Sequence, residues 1–442
     1  MICTNSLESV IARLIVQIDR LISAQLDAIL HHPALQELEA AWRGLHLLVS
    51  EAGTQTNVKV RLLDIEWREI EKDLGRALEF DQTRLFELIY TEEYDLAGGF
   101  PFGFVIANFS FSHQRADHLD TLKKLSQIAG AAFSPVCTSL SPAFFGVKNF
   151  SELHSGINYQ NLFSSPEYIY WKNFRQLEDS RFMSFALPKI LIRQPWGSFN
   201  TSGKLFYKEQ CYSEADFLWA NAAFALGAVL IREFAQVGWF AHIRGAPRDT
   251  IAGGIVTQLS TIQEESTSAW LSALPSTDLI ITEALEKEFS ERGIISLCHL
   301  WNTPYAAFFS LPTCHQPPNY TDQKAGNNAR ISAQLPNILC ASRFAHYIKI
   351  IMRDKIGSFM SAPECERFLE SWLLKYSINS GDLDWSTQAR YPLQSVNVSV
   401  NEDRLKPGHY KCVIHLTPHY QLDGAVSEIR LTTEIVNQSK AA

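Results

Sequence analysis

Apolar positions along the chain switch between a spacing of three or four residues and strict alternation, and the switches mark out helices and strands. Residues 7–51 keep the helical period: one amphipathic helix runs to about His31, and Pro33 opens a second that carries Leu35, Leu38, Trp42, Leu45 and Leu48. Residues 57–65 (NVKVRLLDI) alternate apolar with charged side chains as a half-buried strand does, and 67–78 return to helical spacing. After Gly98-Gly99, residues 102–109 predict a buried strand, 117–132 a helix and 135–140 the next strand, a βαβ unit that favours parallel pairing. Residues 182–188, 279–281, 293–301 and 305–311 read as further strands, and 284–292 as a helix. The stretch 216–237 predicts a long buried helix, and 238–245 a strand-like step after it. Its apolar run of about 15 residues is short of the roughly 20 that a membrane span needs. Residues 198–214 read as loop, and 246–273, with Gly253-Gly254 and many Ser and Thr, as an exposed excursion.

The stretch 329–376 reads as two helices joined at Ser361-Ala362-Pro363. At 100° per residue Phe344, Tyr347, Ile348, Ile351 and Met352 fall on one stripe, while Arg343, His346, Lys349 and Arg353 gather nearly opposite. One face is core; the other is a cationic strip, either solvated or used for contact. The second helix has Pro363 in its first turn, Glu364 and Glu366 near its positive end and Lys375 near its negative end. Its buried stripe is Phe368, Leu369, Trp372, Leu373 and Tyr376. Upstream, 314–324 with Pro317-Pro318 is the best interdomain boundary. Downstream, 396–400, 410–416 and 426–436 alternate as the strands of a small antiparallel sheet with open edges.

Composition narrows the function. The 442 residues imply two or three domains, and 39 basic against 47 acidic residues, net −8, argue against a nucleic-acid partner for the whole surface. Eight cysteines spread singly, with no CxxC, read as buried thiols in a reducing compartment. The N-terminus lacks the pattern of a signal peptide, so a cytoplasmic protein without direct membrane insertion is expected. No GxxxxGK[ST], GxSxG, HExxH, EF-hand or GxGxxG motif occurs, and no catalytic group, cofactor or metal is expected. The pairs Cys298-His299 and Cys314-His315 look metal-like, but neighbours on a strand point to opposite faces. Glu178-Asp179-Ser180-Arg181 gathers carboxylates, a hydroxyl and a guanidinium; it is expected to be a structural ion-pair motif of Glu178, Asp179 and Arg181, with Arg181 paired in a buried setting. A hydrolase using Asp179, Ser180 or His346 is the enzymatic alternative. The 245–254 glycine loop lacks the strand-turn-helix setting of a phosphate cradle.

The chain resembles the large subunit of the type VI secretion contractile sheath, the TssC/VipB family. The likeness rests on Ile29-Leu30-His31-His32-Pro33 with Leu38-Glu39-Ala40-Ala41-Trp42-Arg43-Gly44-Leu45, on Phe80-Asp81-Gln82 and on Glu178-Asp179-Ser180-Arg181-Phe182. It continues in Leu218-Trp219-Ala220-Asn221-Ala222-Ala223, Gly238-Trp239, Ile243-Arg244-Gly245 and Tyr305-Ala306-Ala307-Phe308-Phe309, and is most specific in 342–347 and 353–359. The resemblance implies a mixed α/β, contractile-tail-sheath-like fold: an N-terminal helical hairpin over 1–52, a central α/β sheath domain over 53–318, and a C-terminal inner sheath domain over 319–442. It implies a structural protein of the bacterial cytoplasm that pairs with the small sheath subunit (TssB/VipA) and with neighbouring sheath subunits. These would stack on a baseplate around an Hcp inner tube, whose expulsion contraction drives, and a ClpV-type ATPase would recycle the sheath mainly through the small subunit. Under this reading Arg343, His346, Lys349 and Arg353 face the tube. Val396, Val398, Val400, Tyr410, Val413, Ile429, Leu431 and Ile435 lie on strands that link neighbours. Family members carry an extended arm before the helix matching Val16 to Leu30, where this chain has some 15 helix-like residues. A second reading is therefore a shortened paralogue that caps or regulates assembly without polymerising.

Overall fold

The computed structural model describes residues 2–53, 57–96, 98–113, 116–153, 156–197, 207–247, 250–263, 273–301, 303–318, 320–355, 362–378, 385–402, 409–419, 421–422, 425–426 and 429–436. Helix α1 (Ile2–Leu30) and helix α2 (Pro33–Ala52) meet at a corner where Pro33 supplies the first turn of α2. Helix α3 (Trp67–Arg76) starts from a capping box, the Glu66 side chain on the third helical amide and the Glu69 side chain on the Glu66 amide. Between α2 and α3 the expected strand at 57–65 pairs with no other strand. Alternation makes a segment fit for a sheet; hydrogen bonds to a neighbouring backbone make it a strand, and among the described residues this one has none.

The central sheet is built from β1 (Val105–Phe111), β2 (Val136–Leu140), β3 (Met183–Leu187), β4 (Ile255–Val256), β5 (Ile294–His299) and β6 (Ala306–Phe308), in the order β1-β2-β3-β5-β6-β4. The first four strands are parallel, with Val105 opposite Val136, Cys137 opposite Ser184 and Phe185 opposite Ile294, and β6 and β4 close the sheet antiparallel. The βαβ unit runs through helix α4 (Ala116–Ala131) as its apolar spacing predicts. One face packs on an aromatic core with Phe111, Phe144, Trp171, Phe185 and Phe289. The other is covered by helix α5 (Ala222–Val237), whose Ala222, Ala223, Ala225 and Leu226 are fully buried.

Three expectations change here. The 216–237 helix starts late: Leu218–Ala220 pairs as a short strand with Ile190–Arg193, and the Asn221 side chain caps α5 by accepting the Ala223 amide at 2.8 Å. Residues 238–245 and 279–281 form turns and extended links, not strands. The described part of 246–273 is no open excursion, since Ala252, Ile255 and Val256 are buried and β4 forms a sheet edge. A Cβ on Gly254 would fall 2.3 Å from the Phe308 carbonyl oxygen, so the glycine is there for close backbone approach. Residues 248–249 and 264–272 of that stretch lie outside the described residues.

The C-terminal part holds helix α6 (Leu335–Lys355), helix α7 (Ala362–Leu374) and an antiparallel sheet of β7 (Leu393–Glu402), β8 (His409–Pro418) and β9 (Ile429–Val436), with β8 central. Residues 329–332 belong to a separate helix, Gln323–Ser332, broken where the Leu335 amide turns to the Leu311 carbonyl. Phe344, Ile348, Leu369, Leu373, Ile414 and Leu416 form a third core, and both helical stripes read from the sequence point into it. Ser361, at the expected joint of the helices, lies outside the described residues.

The fit of α2 on α5 yields a first prediction. A Cβ on Gly44 would sit 2.5 Å from the Phe224 ring, so Gly44→Val should cost about 1–3 kcal/mol by overpacking. Urea denaturation should show a lowered midpoint with an unchanged slope.

Candidate assembly interface

Helix α1 carries Leu7, Ile11, Leu14, Ile18 and Leu21 at alternating steps of four and three, the seam of a coiled coil, with Ile15, Ile22 and Ile29 widening it on one side. All of these side chains are exposed, Leu21 at 72%. A helix of this length in water normally buries its apolar stripe, and among the described residues nothing covers this one. The sequence reading treats this helix only as half of a hairpin; the regular four-three spacing is the signal that marks it as more.

The corner below α1 is held by polar contacts. The Tyr207 hydroxyl donates to Asp27 Oδ1 at 2.6 Å, and the His31 ring lies 3.2 Å from Glu209. Glu209 is buried, and Arg193 donates to both its oxygens at 2.6 and 3.1 Å while the Trp196 amide adds a third bond at 2.8 Å. Burial pushes the Glu209 carboxyl up, but these donors outweigh it and hold it below the usual range. His31, Glu209 and Cys211 bring three donor atoms within 4.8 Å of one another. That carboxylate is already taken by a guanidinium and an amide, and burial pushes the Cys211 thiol up to about 12, so the group acts as an ion-pair joint. No spacing in the sequence announces Arg193 with Glu209, because the loop that joins them has no period.

The cationic strip of α6 is a seam within the chain. His346 is 1% exposed, not solvated, and its Nε2–H donates to the Ala132 carbonyl at 2.9 Å. Lys349 Nζ donates to Asp95 at 2.8 Å and lies 3.9 Å from the centre of the Tyr94 ring, and Arg353 donates to the Leu96 carbonyl at 3.0 Å. Arg343 reaches the Tyr347 hydroxyl at 2.7 Å and stacks over Phe234. The face opposite the third core is thus covered by the π-helical turn Glu87–Asp95 and the end of α4. Helical periodicity finds the face but not what lies against it.

At 178–181 the ion pair is local and partly exposed, Arg181 to Glu178 one turn away, rather than buried. Burial pushes the Asp179 carboxyl up. The buried member is Ser180, fully enclosed, whose hydroxyl donates to the Leu177 carbonyl at 2.6 Å and lies 3.2 Å from His315 Nδ1. His315 Nδ1 is itself 2.9 Å from that carbonyl, so the pair ties a turn to the core and offers no open nucleophile. Burial pushes the Cys298 and Cys314 thiols up to about 12, away from the thiolate a metal takes. The Gly245 and Gly254 amides are spent on the Phe308 and Gly245 carbonyls.

In the terminal sheet Val398, Val400 and Val413 are buried, and Val396, Ile429 and Leu431 pack on the third core. Val398 lies opposite Ile414, and Tyr410 stands between Glu402 and Ile435. Strand β8 is central; among the described residues β9 pairs along one edge, while the outer edge of β7 is met at Leu393 by residues 376–378 and at the Val400 amide by the Glu366 carboxylate.

Burial pulls the His346 imidazole down to about 4 from 6.5, with Arg343 and Lys349 acting the same way against the Ala132 hydrogen bond. The stability its neutral form contributes is complete above about pH 6.5 and is lost as the pH falls toward about 4, on the order of 3 kcal/mol. His346→Gln, which keeps a donor for Ala132, should flatten the unfolding free energy against pH in that window. An unchanged slope by chemical denaturation would count against the assignment.

The family model of the EvpB/VC_A0108 tail sheath N-terminal domain matches residues 12–315, and that of the EvpB/VC_A0108 tail sheath gpW/gp25-like domain matches residues 324–435. The type VI secretion system sheath protein TssC1 of Pseudomonas aeruginosa PAO1 is 34% identical over 445 residues, covering 99% of this chain and 87% of that protein. No helix among the described residues is long and apolar enough to cross a membrane. Two matched domains, a sheath relative across the chain and a mixed α/β fold ending in helices and a small antiparallel sheet place this chain in the TssC/VipB family of type VI secretion sheath large subunits, a family of structural proteins.

Proposed function

We propose that this chain is a structural subunit of the contractile sheath, that it pairs with the small sheath subunit through α1, and that the pairs polymerise around an Hcp inner tube in the bacterial cytoplasm. The observation that carries the pairing is the exposed seam from Leu7 to Leu21. Its apolar flank at Ile15, Ile22 and Ile29 suits a bundle of three or more helices better than a two-stranded coil, which calls for helical partner segments. The outer edge of β9, unpaired among the described residues, supports strand exchange between neighbours, and the residues from Val396 to Ile435 would form those links. A baseplate as the place of nucleation, and a ClpV-type ATPase that recycles the sheath through the small subunit, follow from this reading.

For Arg343, His346, Lys349 and Arg353 the contacts with Asp95, Leu96 and Ala132 support a coupling role: a load on the C-terminal part reaches the central fold through them. Tube contact is left to the exposed portions of Arg343, Lys349 and Arg353. Reversing these three charges separates the roles, since tube contact alone would weaken coassembly with Hcp at unchanged melting temperature.

Coexpression with the cognate small subunit should give soluble heterodimers and tubes visible by negative-stain microscopy. Leu14→Asp with Leu21→Asp should abolish copurification by at least about tenfold, with little effect on the melting temperature, because both side chains are exposed in the lone chain. Monomers under every condition would remove the proposal, and heterodimers that never form tubes would favour the capping paralogue.

A further inference from the structure

Residues 58–65 are extended and alternate Val58 and Val60 with Lys59 and Arg61, yet among the described residues none of their backbone N–H or C=O groups has a hydrogen-bond partner. Strand β1 is hydrogen-bonded on one side only, to β2. Side chains of the run reach residues 100 and 102, which lead into β1, and the first residue of α3 reaches β1 itself. Lys59 Nζ lies 3.4 Å from the centre of the Phe100 ring, Arg61 Cζ lies 5.7 Å from that of Phe102, and the Trp67 ring is 5.3 Å from Phe109. The residue offset in these pairs is 41, 41 and 42, so 59–67 follow 100–109 in the same direction at strand pitch. Side chains bridge the two backbones and no ladder joins them.

We propose that an extended strand of the small sheath subunit enters here, hydrogen-bonded to the backbone of 58–65 and joining it to the open edge of β1. The identity of the partner rests on the pairing reading above. Exposed apolar surface continues along the chain from α1 through Leu38, Trp42 and Val49 of α2 to Leu62 and Leu63, so one partner could cover the whole tract. A second copy of this chain is a poorer occupant, because its own run is tied to its own subunit by Arg61 to Glu93 and Lys59 over Phe100. The entering strand would carry apolar residues at alternate positions to meet Val58 and Val60, and main-chain hydrogen bonds would supply much of the affinity.

Hydrogen–deuterium exchange of this chain, alone and in complex with the small subunit, tests the idea. Amides in 58–65 and 105–111 should slow by at least about tenfold in the complex. Val60→Pro removes one donor from the run; as that donor has no bond in the lone chain, the melting temperature should hold while the dissociation constant of the complex rises by about tenfold or more. A complex whose 58–65 amides exchange as fast as before overturns the strand entry and leaves the pairing intact. Failure to form any complex overturns both. Protection that grows with the concentration of this chain alone assigns the position to a second copy and overturns the proposed occupant.

Discussion

The close approach of α2 to α5 is the constraint on which the arrangement of the N-terminal half depends. Gly44 lets the Phe224 ring lie against α2, and Gly227 admits Leu48 from α2 and Ile106 from β1. Ala222, Ala223 and Ala225, fully buried beside them, keep the two helices close. Helix α2 is therefore committed to packing on α5. Its Ala40, Leu47 and Leu48 are taken up in that contact, and among the described residues the stripe of α1 stays exposed.

The C-terminal part is bound to the central fold by two kinds of contact. Trp239, just past the end of α5, stacks on Phe344 at 4.4 Å between ring centres and so belongs to the third core. On the opposite side of α6, His346, Lys349 and Arg353 fasten to carbonyls and a carboxylate of the preceding fold. A helix held on both faces transmits displacement instead of absorbing it.

Much of the fold was legible because burial follows period. The stripes of α6 and α7, the βαβ unit and the terminal sheet all announce themselves by spacing that one face must satisfy. What failed did so where period is silent. The 58–65 run has the alternation of a strand without a ladder, because pairing depends on a neighbour that the segment's own residues do not encode. Composition makes 246–273 an exposed excursion, yet in its described part Ala252, Ile255 and Val256 are buried by backbone contact with β6. Spacing alone puts Arg343, His346, Lys349 and Arg353 on one face, but not that His346 meets a carbonyl 214 positions away.

The corner at His31 and Pro33 has a geometric consequence. At 1.5 Å per residue, the 29 residues of α1 form a rod about 44 Å long, and its polar anchors, Asp27 and His31, lie at one end. The rod is a lever with its fulcrum at Glu209. A turn of about 10° there carries the far tip through about 8 Å, so a modest tilt of the body becomes a stroke longer than a helical turn at the place where another chain would hold on.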